Sequence, residues 1–151
     1  MLSLNDLAES IATGTVRVGE RIVTVRALSA VEHAAILAAL PRPVAPLKKD
    51  PNKGSGAPRV PDEQDPEYLA KVEAWFATFR AAVVVLACGI DVGLPEAVAM
   101  QTQAEKLLDR LPMPVVHRLY EAQRELAAGR RVTAEERGDE DGDQDHPTGA
   151  A

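Results

Sequence analysis

Side chains able to do chemistry are few and scattered in this 151-residue chain. His33, His117 and His146 fall on three separate stretches, and none has a second ligand at metal-binding spacing, so no metal centre is expected. Cys88, the single cysteine, closes an apolar run just before Gly89. A thiol there faces the negative end of a helix dipole, which opposes thiolate formation and nucleophilic use. One cysteine also excludes an internal disulfide and suits a reducing compartment. Gly54-Ser55-Gly56 lacks the flanking strand and helix that make a phosphate cradle. The acid pairs Asp62/Glu63 and Glu135/Glu136 lie in expected loops, where nothing desolvates one carboxyl and splits the pair into an acid and a base. No catalytic residue, cofactor or metal is therefore expected, and the chain reads as a non-enzyme.

Two features point to binding instead. Tyr68, Trp75, Phe76 and Phe79, which include both phenylalanines and the only tryptophan, recur at helical spacing with Val72, Val83 and Leu86. Such a stripe is read either as a core face or as an anchor for a partner. On the second reading Trp75, Phe79 and Val83 are the candidate partner-binding residues. The other feature is charge. The net charge is −6, and from Ala134 onward one base, Arg137, stands against seven acids, so residues 1–133 are neutral and the whole excess lies in the tail. A neutral body with an acidic tail is a poor nucleic-acid binder, because Lys and Arg on phosphates supply most of that affinity. The tail serves either as a solubilising extension or as a competitor for a basic surface, such as the chain's own loop with Arg42, Lys48, Lys49, Lys53 and Arg59.

The elements that would position these groups are mostly helical. Ser3 and Asp6 open a short helix with Leu4, Leu7, Ala8 and Ile11 on one face, ended by Gly14. Residues 15–26 form a β-hairpin with Gly19-Glu20 as a type II′ turn, which places Val16, Val18, Val23 and Val25 on one face. A lone hairpin is barely stable in water, so that valine face must lie on the helices. Ser29-x-x-Glu32 is a capping box for a helix that runs through Ile36, Leu37 and Leu40 to Pro41. Residues 41–65 read as a Pro-rich basic loop. Asp65-Pro66-Glu67 starts the aromatic helix, and Gly89 with Ile90 suits a Schellman ending. Its last two turns are apolar all round, which demands deep burial or a partner. The β-prone run Val83-Val84-Val85 is assigned to this helix by continuity. Pro95 opens a fourth helix with Val98, Leu107, Leu108 and Leu111, and Pro114 a fifth with Val115, Val116, Leu119, Tyr120 and Leu126, capped by Gly129. The expected fold is thus mainly α: a small bundle of about five helices with one N-terminal β-hairpin, a single domain over 1–133, and a disordered acidic tail over 134–151. The start of the chain carries no basic or apolar signal region. The apolar run Ala81–Cys88 is far short of the roughly 20 residues that cross a bilayer. A soluble, cytoplasmic protein is expected.

The stretch Val16–Glu32 resembles the N-terminal module of tail assembly chaperones of long-tailed bacteriophages and prophages. There a Val-rich hairpin leads into an Arg-x-Leu-Ser/Thr turn and an acid that opens a helix; the matching residues here are Val25, Arg26, Leu28, Ser29 and Glu32. The resemblance implies a protein client, the tape-measure protein, kept soluble in the host cytoplasm until tail-tube subunits enclose it. It also implies several copies along one client, absence from the mature virion, and a longer frameshifted form engaging the tail-tube protein, of which this chain is the short form. A small helical adaptor or regulator is the competing reading; a DNA-binding one would need a helix with clustered Arg and Lys, which none of the five offers.

Overall fold

Ala81 to Val85 are five consecutive apolar residues that turn a full circle of one helix, so this helix must be enclosed on every side. In the computed structural model, which describes residues 1, 3–4, 12–54, 56–95 and 98–134, that helix is the centre of the molecule. The hairpin comes first, β1 (Thr13–Val18) and β2 (Arg21–Arg26), followed by α1 (Ala30–Ala39). Two short strands, β3 (Leu47–Lys48) and β4 (Val60–Pro61), precede the central α2 (Pro66–Cys88), and α3 (Met100–Arg110) and α4 (Met113–Ala127) complete the order. The fold is mostly helical with an N-terminal antiparallel hairpin, as expected. Four helices lie among the described residues; the short helix expected before Gly14 falls almost entirely outside them.

The hairpin has the expected register, with Val16 opposite Val23 and Val18 opposite Arg21. Gly19 has φ 61° and Glu20 does not take a positive φ, which fits a type II′ turn and not type I′. The valine face packs on helices as its chemistry required: β2 lies on α2, and both strands lie on α4. Val16 and Val25 are fully buried. α2 is capped by the Asp65 carboxylate, which accepts from the Tyr68 N–H at 2.9 Å, and is helical through Val83–Val85. It ends with Gly89 at φ 60° and the paired bonds Gly89 N–H to Leu86 (3.3 Å) and Ile90 N–H to Val85 (3.1 Å), a Schellman ending. The residues around its last turns are buried against α3, α4 and β2, so the all-round apolar stretch is core.

Four expectations are corrected. Gly14 does not stop a helix but lies inside β1, where a Cβ would stand 2.5 Å from the Val132 carbonyl oxygen. The packed segment after α4 reaches Ala134, one residue into the expected tail: Val132 and Ala134 are buried, the Thr15 N–H donates to the Val132 carbonyl (3.1 Å), and the Ala134 N–H donates to Thr15 Oγ1 (3.0 Å). The remainder of the acidic tail lies outside the described residues. The loop over 41–65 is pinched by the β3–β4 pair and a Lys48–Asp62 ion pair at 3.3 Å, because Leu47 and Val60 favour extended backbone and Pro61 can sit on an edge without its N–H. Finally, α3 starts at Met100, five residues after Pro95, and Gly93 at φ 76° lies in the turn before that proline.

Substituting Gly14→Ala is expected to cost about 1–3 kcal/mol, since backbone on two segments must separate. Gly54→Ala, where nothing stands within 4 Å of the added carbon, is expected to leave stability within about 0.5 kcal/mol. Urea unfolding followed by circular dichroism checks the pair, and equal midpoints for the two variants would show that Gly14 is not a close-approach site.

Candidate interaction surface

The junction between β2 and α1 is the most tightly specified polar cluster among the described residues. Ser29 Oγ accepts from the Glu32 N–H and the Glu32 carboxylate accepts from the Ser29 N–H, both at 3.1 Å, so the expected capping box is complete. The same carboxylate takes both Arg26 guanidinium nitrogens, at 2.7 and 2.6 Å. Leu28 packs against the core between them. Arg26, Leu28, Ser29 and Glu32 are thus one physical unit that fixes the angle at which α1 leaves the hairpin. Hydrogen bonding from Arg26, aided by the Ser29 N–H, holds the Glu32 carboxyl at about 2, against an ordinary 4.5.

The far end of α1 is fixed by Trp75. Its indole N–H donates to the Leu40 carbonyl at 2.8 Å, satisfying an acceptor left open at the helix end. The ring stacks on Phe79 (5.2 Å, 24°), meets Phe76 edge-on at 5.0 Å, and carries the Arg42 guanidinium 5.9 Å from its centroid. Phe79 is 5% exposed and Val83 1%, so both belong to the chain's own core and offer no surface in this fold. Trp75 is half-buried and engaged with Leu40. The stripe is core at Phe79 and Val83, and half-buried at Tyr68, Val72, Trp75 and Phe76.

Clamped at both ends, α1 contributes only Ile36, with Leu40 just beyond its end, to the core. Its other apolar residues face outward: Val31 is 79% exposed, Leu37 is 40% exposed, and all five of its alanines are exposed. Reading the sequence as a helix through Ile36, Leu37 and Leu40 assigned no face to these residues and so missed this one. The missed signal was composition: Glu32 and His33 are the only polar residues of Ala-Val-Glu-His-Ala-Ala-Ile-Leu-Ala-Ala. A helix with only two polar residues in ten, covered on one side only, has apolar surface to spare.

The chemistry-bearing residues do not converge on this face. His33 is exposed and edge-on to Phe79 at 5.6 Å, and His117 is exposed on α4; His146 lies outside the described residues. Among the described residues no three His, Cys, Asp or Glu side chains come together. Burial pushes the Cys88 thiol up to about 11. Arg80 lays its guanidinium over Phe76 (5.2 Å) and Tyr120 (5.7 Å). No helix of the described residues is long and apolar enough to cross a membrane. Comparison with protein-family models, curated proteins and solved structures found no match to this chain.

Two outcomes follow from these geometries. The depressed Glu32 value means that its stabilisation is complete above about pH 4.5 and is lost as pH falls toward 2. With the Arg26 and Glu32 side chains 38% and 30% exposed, solvent screening limits the effect to about 1 kcal/mol. Subtracting the urea midpoints of Glu32→Gln from those of the unaltered chain across pH 2–6 should reveal that step; a flat difference would rule out the pair as a stabilising contact. Cys88 should react with iodoacetamide at pH 8 about a hundredfold more slowly in the folded chain than in urea, as thiolate is the reacting form. Equal rates would place the thiol at the surface.

Proposed function

We propose that this chain is a non-enzymatic binding protein of the phage tail assembly chaperone type, acting in the host cytoplasm and absent from the finished virion. In this reading it keeps the tape-measure protein soluble. The observation that carries it is the outward apolar face of α1, held rigid by the Arg26–Glu32 pair, the Ser29 capping box and the Trp75–Leu40 hydrogen bond. Arg26, Leu28, Ser29 and Glu32, four of the residues that carry the sequence resemblance, form the junction from which this face departs.

An amphipathic helical client exposes apolar stripes until it is enclosed. An alanine-rich helix suits such a stripe, because small side chains let two helix axes approach to the short end of the usual 8–10 Å. Ten residues of helix make a face about 15 Å long and about 10 Å wide, or roughly 150 Å², well below the roughly 800 Å² per partner of a stable interface. Each contact is therefore weak. Several copies along one client hold through multivalency and still yield to a tube subunit that binds more strongly.

The test is co-expression with the tape-measure protein and recovery of soluble client. Val31→Glu combined with Leu37→Glu should leave the unfolding midpoint nearly unchanged and cut client recovery by about tenfold, as two charges must be desolvated at the contact. Ile22→Glu, an exposed apolar residue on the outer hairpin face, should leave recovery intact. A folded double variant that recovers client normally removes α1 from the contact, and failure of the unaltered chain to retain any client ends the chaperone reading.

A further inference from the structure

The valine face of the hairpin is only half covered by the chain's own helices. Val16 and Val25, toward the open end, are fully buried, whereas Val18 and Val23, beside the turn, are half-buried and line a groove of about 730 Å³. Its floor and far wall are apolar as well: Val92 from the segment after α2, Leu107 and Leu111 from the end of α3, and Val115 and Leu119 from α4. The volume lies within the range of binding clefts, and the open shape of the groove favours a chain segment over an enclosed small molecule.

The rim has one dominant sign. Arg21, Lys106 and Arg110 border the groove, and among the described residues the one carboxylate lining it is Asp91, one oxygen of which already accepts the Gly93 N–H at 2.8 Å. Among the described residues none of these three cations makes an ion pair. Three free cations around an apolar trough stand out in a chain whose net charge is −6. We propose that this groove binds an acidic amphipathic peptide segment of a partner protein, with two or three apolar side chains on the valine floor and carboxylates against Arg21, Lys106 and Arg110. The chain's own acidic tail matches only the rim: residues 135–151 supply seven acids but, besides Gly, only Ala and Pro as nonpolar residues. The surface is separate from the α1 face and does not depend on the chaperone reading.

The probe is a fluorescein-labelled 14-residue peptide with Leu at i, i+3 and i+7 and Glu at the flanking positions, titrated with the full chain by fluorescence polarisation. A second peptide carries Lys in place of each Glu. The acidic peptide should bind saturably and the basic one at least about tenfold more weakly. The double reversal Lys106→Glu with Arg110→Glu should invert that order, and the methyl resonances of Val18, Val23 and Val115 should shift on binding while that of Ile36 stays. Equal affinity for both peptides, or unchanged binding of the acidic peptide to the reversed variant, overturns the proposal. So does a homodimer, seen by sedimentation, that the double reversal dissociates, because the occupant is then a second copy. Binding seen only in a full-length variant with all seven tail acids changed to amides assigns the groove to the chain's own tail and equally overturns it.

Discussion

A helix that is apolar around its whole circumference cannot have a solvent side, and the second half of α2 is such a helix. From Ala81 to Val85 every residue is buried, and each buried valine contributes about 1.5–3 kcal/mol that would be lost on exposure. α3 and α4 cover part of that circumference and β2 another part, so the hairpin is as much a lid on α2 as a unit of its own. Small side chains make this close enclosure feasible, which is why a chain with only 3% aromatic residues still builds a dense core. Trp75 and Phe79 sit where α1 meets α2, the indole bonded to Leu40 and the phenyl ring against His33.

The position of α1 follows from what α2 leaves uncovered. With its far half enclosed, α2 offers α1 only the region near Trp75 and Phe79, and Ile36 and Leu40 fill it. Two polar contacts then fix both ends of α1 without adding buried area. The bidentate Arg26–Glu32 pair is worth little as a surface ion pair, yet together with the capping box it defines one geometry and forbids others. Rigid presentation of an apolar face lowers the ordering cost of any later association, and this is the physical sense in which α1 suits a binding role.

The same logic produces a second unfilled surface at the turn end of the hairpin. The valine face is fully buried at Val16 and Val25 near its open end and only half-buried at Val18 and Val23 beside the turn at Gly19. The two surfaces differ in character. The outward α1 face is made of Val31, Leu37 and alanines, and the groove is apolar with a basic rim. They would select different chemistries, and neither gathers the ionisable side chains that a catalytic centre needs.

Sequence alone determined the local events. The hairpin register follows from alternating valines and Gly19. The capping box follows from Ser29 and Glu32, the starts and stops of α2 from Asp65-Pro66 and Gly89, and the helical state of Val83–Val85 from an unbroken apolar period. These signals act over a few residues and survive in any context. Only the tertiary structure decided which apolar residues are core. Phe79 and Val83 are buried while Val31 and Leu37 are not, because that outcome depends on what each helix has left to lie against, and such competition among faces is written in no single segment. Gly14 shows the same limit: it resembles a helix stop by type, and its actual need for glycine arises from Val132, more than a hundred residues away in the chain.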